Sequence, residues 1–297
     1  MNAPTLFIES VAFWSPGLPG WEFARDAFRS EGGLVAPPAA RPDAALLAPR
    51  ERRRAPDTVA LALEVASRAV RQAGRQGKPM ASVFVSTHGD LAINDSMCTT
   101  LAEAPSLVSP TKFHNSVHNA AAGYWSIATG CMQASTALTA FEHSFAAGLL
   151  EAATQCAADL HAVLLVAYDI EARGALSTVT RSRGMLATAM VLASARSDRT
   201  VAALDWSLCH GPTSPCALRS QAARGLAHNA MADALPMLEA LASGHTESVL
   251  MPLSPRLSLK VELSPVPSRW RPGARRNLPA QTPPAGNSHT TGTLASP

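Results

Sequence analysis

Apolar positions recur along this chain at two periods, one suited to strands and one to helices. Leu6 to Phe13 and Met80 to Ser86 read as strands, the second closed by Gly89. Ala162 to Ala167 is apolar throughout, as expected of a strand buried on both faces. Ser135 to Leu138, Met185 to Ser194 and Leu257 to Leu263 complete the strand set. Helical spacing appears over Thr58 to Ala73, with Leu61, Val65 and Ala69 on one face and Asp57 as N-cap. It returns over Phe141 to Ala157, with Phe141, Phe145 and Leu149 four residues apart, and over Gly225 to Ala242. Tyr124 to Thr129 reads as the end of a short helix leading to Gly130. Strands alternating with helices imply an α/β layered fold.

Composition then sets boundaries. Residues 265–297 hold seven prolines and four arginines with no acid, a charge of +4. The net charge of the whole chain is +3, so residues 1–264 sum to −1. Such a tail buries too little apolar area to offset its ordering entropy, so a folded domain over 1–264 and a disordered tail over 265–297 are expected. Residues 32–49, rich in Pro and Ala, read as a loop. A near-neutral body argues against a nucleic-acid partner. No apolar run reaches the ~18 residues of a membrane span. Met1 to Pro19 lacks a basic start and carries Glu9, so no secretory leader is expected. Five cysteines without a C-x-x-C pair suit a reduced, cytoplasmic chain.

The segment Ser109 to Ala153 carries the most specific pattern. Ser109-Pro110 is followed by Asn119, Ala122-Gly123, Ser126-Ile127, Gly130 and Ser135. This run resembles the β-ketoacyl synthase family of the thiolase fold. That family has Gly-x-x-Gly-Pro-Ser where this chain has Gln133 and Ala134 in place of the second Gly and the Pro. Upstream, VFVSTHGD over 83–90 looks like the family's strand ending in a Gly-Thr-rich turn. Downstream, VLLVAYD over 163–169 and RSRGMLATAMVLA over 181–193 look like its later strands. The resemblance covers about residues 50–194 and implies an α/β, truncated thiolase-like fold.

It also implies lost chemistry. The family's nucleophilic cysteine stands seven residues after the serine, at the start of a long helix whose dipole stabilises the thiolate. Here that position is Glu142, and the nearest cysteines are Cys131 and Cys156. The family's two histidines lie in a second half of its fold, for which about seventy residues remain between 194 and the tail. His210, His228 and His245 stand outside the Gly-Thr and Gly-His contexts the family uses. No catalytic residue, metal or cofactor is therefore expected.

A retained scaffold without its nucleophile is similar to the chain length factors, most of all to the short subfamily of aryl-polyene and xanthomonadin-type pigment clusters. The resemblance implies a heterodimer with a catalytic ketosynthase subunit, with an acyl carrier protein as further partner. The strand Ser135, Thr136, Ala137, Leu138 would pair across it. Thr111, Lys112 and Phe113 would reach toward the partner's acyl tunnel, with Asn119 and Gly123 in the same interface. The alternative is a stand-alone malonyl-carrier-protein decarboxylase or acyltransferase using Glu142 or a cysteine from elsewhere.

Independent of any family, Thr139 to Glu142 has the T-x-x-E form of a capping box. His114 and His118 are four apart but lack the Glu of a zinc-protease motif, so packed or surface histidines are expected. Gly-x-Ser-x-Gly, Gly-x-Gly-x-x-Gly and Walker patterns are absent, which leaves no motif support for a hydrolase or nucleotide site. Tyr124 and Trp125 read as core or interface. The Arg52-Arg53-Arg54 run reads as a solvated turn that could meet an acidic carrier protein.

Overall fold

The computed structural model describes residues 3–29, 41–180, 182–211, 214 and 216–266. Eight strands form one sheet: β1 (Leu6–Trp14), β2 (Ala81–Val85), β3 (Ser135–Leu138), β4 (Val163–Asp169), β5 (Leu186–Ala193), β6 (Ala202–His210), β7 (Glu247–Ser254) and β8 (Leu257–Pro265). Their order is β3-β2-β4-β5-β1-β6-β8-β7. β2 runs parallel to β3 and β4, and every other pairing is antiparallel. The helices are α1 (Trp21–Arg29), α2 (Pro49–Arg54), α3 (Asp57–Gln72), α4 (Leu91–Glu103) and α5 (Pro110–Ser116), then α6 (Ala120–Thr129), α7 (Ser144–Asp159), α8 (Ser177–Thr180), α9 (Gln221–Leu226) and α10 (Leu235–Ser243).

The side-chain period of two sorts the central strands between two cores. In β4, Val163, Leu165 and Ala167 face a core built with α7, α1 and α10. Leu164, Val166 and Tyr168 face the opposite core, built with α3 and α6. Both faces being covered, β4 and β5 are buried at every residue, which is why they read as unbroken apolar runs. β8 is covered on one face only: Leu259, Val261 and Leu263 are buried while Lys260 and Glu262 are exposed. β7, at the far end of the sheet, packs against α7 and α10, so the sheet curls over α7. The helix comes so close to β2 that a Cβ at Gly148 would lie 2.2 Å from a methyl of Val85.

Several expectations change. Asp57 is not the N-cap of α3. Pro56 holds that place, and Asp57 sits in the first turn, ion-paired with Arg41 at 3.0 Å. The run from Phe141 begins as a 3-10 turn (Phe141–His143), and α7 starts only at Ser144. Phenylalanine 145 and Leu149 are buried as the spacing requires, but Phe141 is exposed. The expected helix over 225–242 is broken into α9, a 3-10 turn at Ala232–Ala234, and α10. Pro236 explains the break, because proline fits the first helical turn and disrupts an interior. Strands β6 and β7 and helices α4 and α5 carry patterns too irregular to read from the sequence, and α1, amphipathic with Ala24, Ala27 and Phe28 buried, went unread. Of the expected 32–49 loop, 41–48 is irregular, Pro49 opens α2, and the rest lies outside the described residues. The tail beyond Val266 also lies outside them, and the last strand runs to Pro265 rather than ending at Leu263.

Candidate functional site at the elbow before α7

The parallel strands β2, β3 and β4 end together, which is where open α/β sheets place their sites. From β3 the chain passes through Thr139 and Ala140 and turns sharply into α7. At the tip Phe141 has φ +52, a left-handed conformation unusual for an aromatic residue. Such strained strand-to-helix turns recur at functional sites. The turn is held by Ser144, whose Oγ donates to the Phe141 carbonyl at 2.7 Å and accepts from the Ala140 amide at 3.1 Å. Thr87, just after β2, donates toward the same carbonyl and lies 3.2 Å from Ser144 Oγ. Thr139 Oγ donates to the Thr87 carbonyl at 2.9 Å. The Phe141 ring, half exposed, meets the His88 ring edge-on at 6.1 Å.

This arrangement replaces the expected capping box. Thr139 is spent on Thr87, and Glu142 is exposed, without a hydrogen bond or ion pair among the described residues. The first amides of α7 are capped instead by Asp233, 88 residues away in the chain. Its Oδ2 accepts from Phe145 N at 2.9 Å and Ala146 N at 3.4 Å, while Oδ1 is buried with no partner. Burial pushes the Asp233 carboxyl up to about 7, against the lowering effect of those amides.

A second buried carboxyl, Asp169 at the end of β4, accepts from Ser86 Oγ at 2.8 Å and Thr87 N at 2.9 Å. Burial raises it to about 6. Asn229 locks the C-terminal segment to this network by donating to the carbonyls of Asp169, Arg183 and Gly184. His118 Nε2 lies 2.8 Å from the Ser86 carbonyl. The ring of His88 has its pKa lowered, first by burial and then by His118.

The elbow therefore presents an aromatic ring, a free carboxylate and no thiol. Cys156 is buried in α7 with its thiol raised to about 11, which leaves it protonated and inert at neutral pH. Cys131 precedes β3, at the other end of the strands. The hydroxyls of Ser144 and Thr87 bond to each other and to backbone carbonyls, not to a histidine. Asp233 occupies the helix amides that would otherwise face an anion. Among the described residues no group of His, Cys, Asp and Glu could hold a metal; His114, within α5, meets the Tyr124 ring at a tilt of 60°, whereas His118 turns to the Ser86 carbonyl.

The expected interface residues fall along one side of the molecule. Ser109 caps α5 and Pro110 opens it, followed by Thr111, Lys112 and the exposed Phe113. Lys112 Nζ reaches Ser96 Oγ of α4 at 2.5 Å. Asn119 is the N-cap of α6 without a side-chain cap bond, and a Cβ at Gly123 would meet open space. Ser135 to Leu138 form β3 at the edge of the sheet. Ser82 Oγ donates to Ser135 Oγ at 3.0 Å, and Thr136 Oγ1 accepts from Gln155. Near this edge Ile127 of α6, which packs against β3, and Met132, three residues before it, are exposed, the latter 93% accessible; Leu107 and Val117 are exposed as well.

The model of the beta-ketoacyl synthase N-terminal domain matches residues 27–253. The chain belongs to this family. No curated protein matches it in sequence. Among solved structures, a chain of the ketosynthase (ApeO) in complex with its chain length factor (ApeC) from Xenorhabdus doucetiae is 21% identical with a TM-score of 0.64. The match covers 87% of this chain and 99% of that one. The ishigamide ketosynthase/chain length factor gives 16% identity and a TM-score of 0.66, covering 88% and 99%. A type II polyketide synthase assembly, AntDE:AntF, gives 10% identity and 0.69, covering 90% and 100%. At these identities the likeness establishes the fold, here built on one curled eight-stranded sheet.

Sequence reasoning missed Phe141, Asp233, Asp169 and Asn229. Asp169 had a local signal, a charge closing an apolar strand. Asp233 had none, because its partners are helix amides that folding brings to it.

Proposed function

We propose that this beta-ketoacyl synthase-fold chain is a non-catalytic chain length factor that pairs with a catalytic ketosynthase subunit during aryl-polyene or related polyketide-type chain elongation. The observation that carries this reading is the elbow itself, which keeps its strained turn but holds Phe141 at its tip and Glu142 beside it. Counting from Ser135 gives Glu142 the nucleophile's place; the positive φ favours Phe141. Neither side chain can be acylated as a thiol is. Three solved assemblies of similar fold, two of them ketosynthase–chain length factor pairs, support the same reading.

The partner would seat on β3. Ser82 and Ser86 amides donate to the carbonyls of Ala134 and Leu138, so the backbone groups of Ser135 and Ala137 point away from the sheet. An unpaired edge beside exposed apolar side chains is a template for another chain. Thr111, Lys112 and Phe113 would then face the partner's acyl tunnel, with Asn119 and Gly123 at the same contact. The folded unit would end at β8, and a carrier protein would complete the assembly.

Co-expression with a ketosynthase encoded beside this chain tests the proposal. A co-purifying heterodimer that elongates carrier-bound chains is the expected result. A stable monomer that ignores the ketosynthase overturns it. Transfer of label from malonyl-carrier protein to the isolated chain, or CO2 release by it, would instead mark a stand-alone acyltransferase or decarboxylase.

A further inference from the structure

At the opposite end of the parallel strands from the elbow lies a cavity of about 410 Å3. Met80, which leads into β2, and Gln133, which leads into β3, both line it. Its apolar walls are Leu46, Val70, Met80, Trp125 and Met132. Ligand sites of this kind span roughly 300–1,000 Å3 and are mostly apolar with a few placed polar groups. Two of the wall residues are methionines, whose unbranched thioethers adapt to varied apolar shapes.

The charged groups are one-sided. No lining residue is acidic. Of the two lining cations, Arg75 is already ion-paired with the buried Glu9. Lys78 has no ion-pair partner among the described residues. An apolar chamber with one uncompensated ammonium at its lining and no carboxylate is complementary to a monoanion with an unbranched apolar body. A neutral ligand would leave the cation unused, and a dianion would find only one free partner.

We propose that this cavity binds a medium-chain fatty carboxylate, its alkyl body against Val70, Met80 and Trp125 and its carboxylate at Lys78. The site is independent of the elbow, while Met132 and Gln133 in its lining stand directly before β3, the edge at which the proposed partner would pair. It is built by the ends of α3 and α6 and the turn between α3 and β2, so it exists in the single chain.

Isothermal titration of the full chain with decanoate, held below its micelle concentration, and with decanol tests the proposal. Saturable one-to-one decanoate binding is expected, with decanol weaker. Lys78→Glu should weaken decanoate about tenfold and leave decanol unchanged. Ser67→Phe, which projects a ring into the chamber, should abolish both; Thr129→Trp serves the same purpose if the first variant fails to fold. Absence of saturable decanoate binding overturns the proposal. So does binding unmoved by the filling variants, which would place the ligand elsewhere, or a Lys78→Glu effect equal for acid and alcohol.

Discussion

The sheet has two edges, and they are built differently. β7 is eight residues long, carries Pro252, and slips register between Pro252 and Ser254. A proline and a bulge are devices that blunt an edge against further strands. β3 is four residues long, without proline, charge or bulge, and Ile127 and Met132 are exposed near it. β7 is also folded back over α7, while no strand among the described residues pairs with the outer edge of β3. One edge is closed by its own chain, and the other is the edge at which the proposed partner would pair. The conformational strain at Phe141 sits next to the open edge, where an incoming partner would meet it.

The strongest way to break this contrast is Ala137→Pro. The Ala137 amide points away from β2, so the fold should persist while the heterodimer is lost, as read by size-exclusion chromatography of the co-expressed pair. A complex that survives would mean that β3 is not the docking edge. Next in size is Gly148→Ala, which forces a methyl into the stiff Val85 side chain and should lower unfolding free energy by about 1–3 kcal/mol. Chemical denaturation measures it, and Val85→Ala should restore part of the loss. Ile127→Asp should weaken the pair about tenfold, or ~1.4 kcal/mol, without changing the stability of the isolated chain.

The smallest effect concerns how the closed side is fastened. Asp233, in the segment leading to α10, caps α7, and with Asp169 it has a folded pKa above its ordinary value. The folded state therefore holds more protons than the unfolded state between about pH 4 and 7. Stability contributed by these carboxyls is fully present below about pH 4 and is lost as pH rises from there through about 6 to 7. Melting temperature should fall over that window, and Asp233→Asn should flatten the fall. An unchanged slope would remove Asp233 from the account.

β1, β2, β4 and β5 were legible because they are buried on both faces and so carry long apolar runs. β3 was placed to the residue by its position between Gly130 and the following helix. The strands β6 and β7 escaped because one face is exposed and their patterns mix Asp205, Ser207 and Ser248 with apolar residues. The capping box failed for a physical reason: the threonine found a nearer acceptor in Thr87, and a remote carboxylate took the helix amides. The absence of a nucleophilic cysteine from the elbow was visible in the sequence, but the residue that takes the strained position was not. Register counted along a chain is insensitive to a one-residue change in the turn, whereas backbone dihedrals are not.

What the sequence determined by itself is the α/β alternation, the family of the central block and the missing thiol, since these depend on local periodicity and on residue identity. What only the tertiary structure decided is the curl of one sheet over α7, the Asp233 cap, the contrast between the two edges and the cavity beneath β2. Each of these depends on groups far apart in the chain, and only packing sets the distances between them.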